Sequence, residues 1–464
     1  MKSRIQEARR AISSARVAAF DILLRVERES SYASELLHSS TYGRLAAVDH
    51  SLTTELVMGV LRWRSLLDSE IAGQSDQSLS KLDAEILTAL RLALYQLRCL
   101  DRIPARAAIN ESVELVKRAR KRSAAPFVNA VLRKLASSNT LRQDLSDGAT
   151  TDDSSIETLA ASSAHPLWLV ERWVTAYGFD ATRQICRHNQ SVPVTAIRLR
   201  RPAAEVQLAG ESVVLAPGAF LVNSRRVSRG DITRTSAFRN GSFVIQDEAS
   251  QLVAALVGHG SHVLDCCAAP GGKTLAIADR NPNATVYAVE FHGHRARLLQ
   301  KLIGSKNSLG EEGPNIRIIA ADARNLPFNR GFDRVLADVP CSGTGTLSRN
   351  PEIKWRLTPV DISELQVRQL AILRSAMAQV APGGRMVYST CSLEREENEE
   401  VVEQSVTANS SLRLVDCAAE LKTLQENGEL IWPEISSLVR GPYLRTLPGV
   451  HPCDGFFAAI LEKI

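Results

Sequence analysis

Two stretches of the chain carry a cysteine in the same kind of place. Asp338-Val339-Pro340-Cys341-Ser342-Gly343-Thr344-Gly345 and Tyr388-Ser389-Thr390-Cys391-Ser392 each follow a run of strand-forming residues. Free cysteine is among the residues most often buried in cores. These two instead lie just past strand ends, among glycines and small polar residues, where reactive groups sit. Neighbouring parallel strands would bring both thiols to one edge of a sheet. A third stretch, Val263 to Thr274, reads VLDCCAAPGGKT and ends like the phosphate-binding loop G-x-x-x-x-G-K-[ST]. Counting back from Gly272 puts Cys267 where that loop needs its first glycine. The phosphate-cradle reading therefore fails.

Carboxylates recur at the same edge. Asp265 and Glu290 end the first two predicted strands, Asp322 follows the third, and Asp338 follows the fourth. Four acidic residues in register point to a ligand containing a nucleoside, with Glu290 placed to accept hydrogen bonds from a ribose. No G-x-G-x-x-G fingerprint is present, which argues against a dinucleotide, and the broken P-loop argues against ATP. S-adenosylmethionine fits better, having an adenosine, a sulfonium and an amino-acid tail but no phosphate. Gly271 and Gly272 would let the backbone approach it closely, and Lys273 would be an active-site cation.

Two thiols beside such a site suit one reaction in particular. Cytosine C5 is too electron-poor to attack a methyl group unaided, but a thiolate adding to C6 makes an enamine whose C5 is nucleophilic. The thiolate must be available at neutral pH, although a free cysteine titrates near ~8.5. A carboxyl group such as Asp338 can assist at the pyrimidine N3. H5 must then leave and the cysteine be eliminated, which a second thiol or its bound water can help.

The elements that must position these residues fall into blocks. Apolar stripes at helical spacing run through Phe20, Leu23 and Leu24, through Leu56, Val60 and Leu61, through Ile86, Leu90 and Leu94, and on to Val131, Leu132 and Leu135. Residues 1–140 are expected to form an all-α bundle, with Pro104 and Pro126 at helix starts. Residues 141–163 are rich in Ser, Thr, Asp and Ala and read as a linker. Residues 164–244 read as a small α+β module. From 245 to 464, strands alternate with helices, the pattern of a doubly wound, mostly parallel α/β sheet that binds ligands at the carboxyl ends of its strands. The predicted strands are His262–Asp265, Thr285–Val289, Ile316–Ala320, Arg334–Ala337, Arg385–Ser389 and Phe456–Leu461. The thiols of Cys341 and Cys391 are expected two and three strands away from the glycine turn.

Composition narrows the partners. The chain has 464 residues, 44% of them apolar, and lacks both a long apolar run and a signal-like N-terminus. Its eight cysteines show no paired spacing and no C-x-x-C. Free thiols in a reducing cytoplasm, with no disulfide framework or zinc site, are the expectation. The net charge of +5 is modest, but the run Lys117-Arg118-Ala119-Arg120-Lys121-Arg122 is dense. Arg198, Arg200, Arg201, Arg225, Arg226, Arg229 and Arg234 make the small module basic as well. Phosphate contacts and a solvated surface are both open readings of these charges. Trp355 could stack on a base or pack in a core.

Three motifs resemble the RNA cytosine-5 methyltransferase family, in particular the bacterial Sun/RsmB type that modifies small-subunit (16S) ribosomal RNA. They are CCAAPGGKT, ADVPCSGTGTLSRNPEIKWR and YSTCSLEREENE. The ARVAAFDILLRV and FVNAVLRKLA segments resemble the NusB-like RNA-binding domain of this family, so the likeness covers almost the whole chain. It implies a Rossmann-like domain using S-adenosylmethionine and a ribosomal RNA substrate; nothing in the sequence suggests an obligate dimer, and a monomer is the expectation. It implies Cys391 as nucleophile, Cys341 in product release, and Asp338 and Lys273 as active-site partners. It implies cofactor contacts from Cys267, Ala268, Ala269, Pro270, Gly271, Gly272, Lys273, Glu290, Asp322 and Asp338. Cys266 receives no role. Two other readings compete: an RNA-binding assembly factor with a vestigial site, and a small-molecule methyltransferase. The intact cysteine pair argues against the first, and the helical and arginine-rich regions against the second.

Overall fold

Stripes of Leu, Ile, Val and Ala at helical spacing fold the N-terminal part of the chain into helices that bury those stripes together. The computed structural model describes residues 12–29, 31–138, 155–303 and 314–464. It divides into two units, Met1–Val192 with Leu347–Arg356, and Pro193–Thr346 with Leu357–Ile464. Among the described residues no helix is long and apolar enough to cross a membrane.

The first unit is helical. Its main helices are Ser14–Glu29, Ala47–Arg62, Arg64–Gln74, Ala84–Cys99, Ala105–Arg118 and Ala125–Ser137. Pro104 and Pro126 stand at helix starts, as the pattern predicts. Ala84–Cys99 is the central helix. Leu90, Leu92 and Leu94 on it are fully buried, each contributing about 2 kcal/mol by removal from water. Its buried arginines are paired: Arg91 is bidentate on Asp68 at 2.6 and 2.7 Å, and Arg98 pairs with Glu70. Buried charge is tolerated only with such partners.

The C-terminal part of this unit departs from the predicted boundaries. Ile156–Ser162 is a helix, capped by Ser155, inside the range read as linker. Residues 141–154 of that range lie outside the described residues. Helices Leu167–Tyr177 and Phe179–Gln190 belong with the helical unit rather than the small module. Their buried faces, including Leu169, Val170, Trp173 and Ile185, supply the reason.

The segment Leu347–Arg356 is held by this unit through hydrogen bonds. Lys354 Nζ donates to the Arg62 carbonyl at 2.9 Å, Trp355 Nε1 to the Leu61 carbonyl at 2.6 Å, and Arg356 to the Val26 carbonyl at 3.0 Å. In return Glu352 accepts from the Ala33 amide at 2.8 Å. Lys354 is buried, and burial, joined by the nearby Arg62 charge, holds its ammonium well below the usual lysine range. Trp355 is half-buried and hydrogen-bonded within this unit.

The second unit contains two sheets. Strands β1 (Ala196–Leu199), β2 (Val214–Pro217), β3 (Ser224–Arg229) and β4 (Phe243–Ile245) form an antiparallel sheet in the order β2-β3-β1-β4. β3 is three arginines in six residues, so no apolar alternation announced it. The larger sheet contains β5 (His262–Asp265), β6 (Thr285–Glu290), β7 (Ile316–Ala320), β8 (Phe332–Asp338), β9 (Val380–Thr390), β10 (Leu412–Val415), β11 (Val439–Arg440), β12 (Tyr443–Arg445) and β13 (Phe457–Lys463). Its order is β11-β12-β13-β9-β8-β5-β6-β7, with β10 also pairing β13. Strands β9, β8, β5, β6 and β7 run parallel, and β13 returns antiparallel against β9. The predicted doubly wound, mostly parallel core is present. The chain runs outward from β5 through β6 and β7, then crosses back to β8 on the other side. That reversal between β5 and β8 is where such sheets open a ligand crevice.

Candidate active site

The crevice is built from the ends of β5, β8 and β9, which are adjacent. The thiol-bearing loops therefore lie one and two strands from the glycine turn, not two and three, because β8 inserts beside β5 rather than beyond β7. In the β8/β9 register Asp338 stands opposite Ser389. Both chains then run past the sheet edge, and the sulfurs of Cys341 and Cys391 meet at 3.4 Å. The two loops are stitched by backbone bonds, Val339 N–H to the Ser389 carbonyl at 3.0 Å and Gly345 N–H to the Cys391 carbonyl at 2.9 Å.

Gly345 is fixed by crowding. A Cβ there would collide with the Gly455 carbonyl oxygen and come within 2.8 Å of the Cys391 carbonyl oxygen. Both obstacles are backbone and cannot swing aside. Gly345→Ala is expected to lower the melting temperature and the activity of this site together. A thermal melt with an activity assay checks it, and wild-type values in both would refute the crowding argument.

The contact with the Cys391 sulfur, then burial, hold the Cys341 thiol well above the usual cysteine range. Either sulfur can be the donor in that contact. Lys273 supplies the positive charge. Burial opposes its ammonium, but Asp338, Cys391 and Asp265 outweigh that and leave its pKa raised. Lys273 Nζ donates to Asp338 Oδ2 at 2.8 Å and lies 4.8 Å from the centre of the Phe456 ring. The other carboxylate oxygen of Asp338 accepts from Ser389 Oγ at 2.7 Å. One cation, one carboxylate and two sulfurs thus share the edge.

The glycine turn starts at β5 and opens helix Gly272–Arg280. Gly271 is the cap of that helix at φ 113°, a left-handed conformation suited to glycine. A Cβ on it would also come within 2.5 Å of Leu299 Cδ1, so close packing of the turn against the next helix adds to the conformational demand. Asp265 is buried and accepts from Thr274 Oγ1 at 2.7 Å. Burial pushes its carboxyl up to about 6, with the Thr274 bond pulling the other way. Cys266 is a core residue whose thiol burial raises strongly. Burial likewise raises Cys267, whose N–H faces Asp265 Oδ1 at 3.4 Å.

Glu290 ends β6 as predicted. Its Oε1 accepts from the His292 amide at 2.8 Å, and its other oxygen has no partner among the described residues. Asp322 is half-buried beyond β7 and carries Arg324, with Arg324 Nη2 at 2.6 Å from Oδ2. The structure thus brings the Lys273–Asp338 ion pair and the Cys341–Cys391 sulfur pair to one sheet edge and places Glu290 on the neighbouring strand end. Asp322 stands apart, at the end of β7 and bound to its own arginine.

Sequence reasoning missed Ser389, Phe456 and the buried Glu397, which accepts from Ser342 and Ser392. Glu397 sits in the acidic run Glu394-Arg395-Glu396-Glu397-Asn398-Glu399, whose composition reads as a solvated helix start. The one signal was that this run directly follows Cys391.

The basic residues turn out to be largely committed. Arg198 and Arg200 hold Asp279, Arg225 holds Glu205, Arg226 holds Glu248 and Arg234 holds Asp231. In the helical unit Lys117 pairs with Glu114, Arg118 with Asp21 and Lys121 with Asp83. Arg120 and Arg122 are exposed and have no ion-pair partner among the described residues.

Comparison with known proteins follows the same two-unit division. Residues 255–462 match the family model for 16S rRNA methyltransferase RsmB/F, and residues 13–137 match that of the NusB family. The "probable ribosomal RNA small subunit methyltransferase B" of Bacillus subtilis is 34% identical over 97% of this chain and 99% of its own length. The ribosomal RNA small subunit methyltransferase B of Vibrio cholerae is 30% identical over 89% and 90%. The crystal structure of PH0851 has the same fold, with a TM-score of 0.77 at 24% identity, covering 98% of each chain. Full-length identity at this level, together with a paired-thiol site at the β8/β9 edge, makes this chain a member of the 16S rRNA methyltransferase RsmB/F family with a NusB-family helical domain.

Proposed function

We propose that the protein methylates C5 of a cytosine in small-subunit ribosomal RNA, using S-adenosylmethionine and a transient bond between Cys391 and C6 of the base. The observation that carries this reading is the pair of sulfurs 3.4 Å apart beside the Lys273–Asp338 ion pair. A methyltransferase acting on an already nucleophilic atom needs no such pair.

The residues present suit the cofactor. Glu290 offers an unengaged carboxylate oxygen to a ribose. The turn from Cys267 to Lys273 follows β5, one strand from the Glu290 end of β6. Asp322 would have to share its carboxylate with Arg324 to contribute. S-adenosylmethionine, when bound, supplies an electrophilic methyl group at the crevice.

The rest is done by the chain. Cys391 adds to C6 as thiolate, at the sheet edge it shares with the Lys273–Asp338 pair. The Asp338–Lys273 pair provides hydrogen bonding at the N3 side of the ring, where negative charge builds as the thiolate adds. After C5 is methylated, H5 must depart and the Cys391–C6 bond must break. Cys341, or a water it holds, is placed to assist. The target base must be single-stranded or extruded, because a stacked base cannot reach a thiol at a sheet edge.

Bisulfite sequencing of ribosomal RNA from a deletion strain and its parent tests the reading. One cytosine resistant to conversion in the parent should become convertible on deletion. Identical profiles would overturn it. Phosphate contacts are assigned to the helical unit at Arg120 and Arg122, since Lys121 is held by Asp83. Reversing both charges to glutamate should weaken RNA binding and reduce the salt dependence of log K by roughly 2. A salt titration with unchanged slope would remove this surface from the interface.

A further inference from the structure

One buried carboxylate joins the two thiol loops. Glu397 lies in the short turn Arg395–Glu397 after β9 and is fully buried. Its Oε1 accepts from the Ser342 amide at 2.8 Å and from Gln369 Nε2 at 2.9 Å. Its Oε2 accepts from Ser392 Oγ at 2.5 Å and also from Ser342 Oγ. The two hydroxyl oxygens are themselves 3.0 Å apart. Ser342 follows Cys341 and Ser392 follows Cys391, so each thiol is one residue from a group gripped by the same carboxylate. The turn is anchored in its own right, since Tyr388 Oη donates to the Glu397 carbonyl at 2.6 Å.

Burying a carboxylate without a cation is costly, and Glu397 has no ion pair among the described residues. Burial pushes its carboxyl up, while the donors from Ser342, Ser392 and Gln369 oppose the rise. An apolar side chain would fill this volume at lower cost. What an apolar residue could not do is accept from both loops at once.

We propose that Glu397 is a positioning residue that sets the separation of the Cys341 and Cys391 sulfurs by holding Ser342 and Ser392 on one carboxylate. Its kinetic consequence rests on the methyl-transfer reading above. Its geometric consequence does not, and the test uses that difference.

The full-length protein is equilibrated with mixtures of reduced and oxidised glutathione. Formation of the Cys341–Cys391 disulfide is followed by mass spectrometry after alkylation. Each disulfide formed removes two protons and two electrons from the thiols and converts one oxidised glutathione into two reduced ones. The midpoint measures the effective concentration of one thiol at the other. Glu397→Gln keeps the volume but turns one acceptor oxygen into a donor facing donors. It should lower that effective concentration about tenfold or more, and lower kcat about 100-fold with KM for RNA nearly unchanged. Glu397→Asp, which keeps both acceptor oxygens, should recover part of each loss. If Glu397→Gln does not fold, the double variant Ser342→Ala/Ser392→Ala removes both hydroxyls and leaves the carboxylate, and the same fall is expected. An unchanged disulfide midpoint in a folded variant overturns the proposal, whatever the activity. A shifted midpoint in a protein whose wild type transfers no methyl group sustains the positioning role and rejects the methyl-transfer reading instead.

Discussion

Cys391→Ala is expected to abolish methyl transfer to RNA, with a loss of about ten-thousandfold or more, the scale on which removal of a covalent nucleophile is felt. The size follows from what remains. Without a sulfur to add at C6, C5 keeps its electron-poor aromatic character, and no hydrogen bond from Asp338 or Lys273 can substitute for a σ bond. The fold should survive, because the stitching at this position is made by the Cys391 backbone carbonyl and the Gly345 amide rather than by the thiol. Cofactor binding, measured by calorimetry, should be unaffected, since Glu290 and the Gly271 turn are untouched. Substantial transfer by the Cys391→Ala protein would reassign the nucleophile.

Cys341→Ala has the opposite signature. On the proposed mechanism Cys391 would still add to the base, but the neighbour proposed to assist release would be gone. A covalent protein–RNA adduct should accumulate and survive denaturing electrophoresis, while multiple turnover falls. The adduct should vanish in Cys341→Ala/Cys391→Ala, which shows that its bond comes from Cys391. Free turnover by Cys341→Ala with no retarded band would dissociate Cys341 from release.

Much of this arrangement could be read from the chain. The strands that position the site were legible because several are short apolar runs closed by a polar residue at the sheet edge, as with His262–Asp265 and Thr285–Glu290. The thiols and Lys273 were legible because glycine and small polar residues mark a strand end. Three things were not. The strand order depends on which side of β5 the chain returns to, which no local pattern encodes. The strands β10 and β12 are short pairs around β13, defined by partners distant in sequence. Glu397 was hidden because a buried carboxylate and a solvated one are the same letter, and only the hydroxyls of Ser342 and Ser392 tell them apart. The arginines of the small module show the converse error of composition. Charges that looked available are bound to Asp279, Glu205 and Glu248.

The hold of the helical unit on Leu347–Arg356 has a consequence for chain entropy. Both ends of that segment continue into the other unit, and Leu347 follows the thiol loop that begins at Cys341. A protein cut before Pro193 would keep every residue assigned to the site. It would lose the carbonyls of Val26, Leu61 and Arg62 and the Ala33 amide that the segment uses. Lys354, freed from its burial, would regain full charge and water. The segment would become a slack loop, and ordering it again would cost about 1–2 kcal/mol per residue. In polymer terms the helical unit is a clamp on a closed loop.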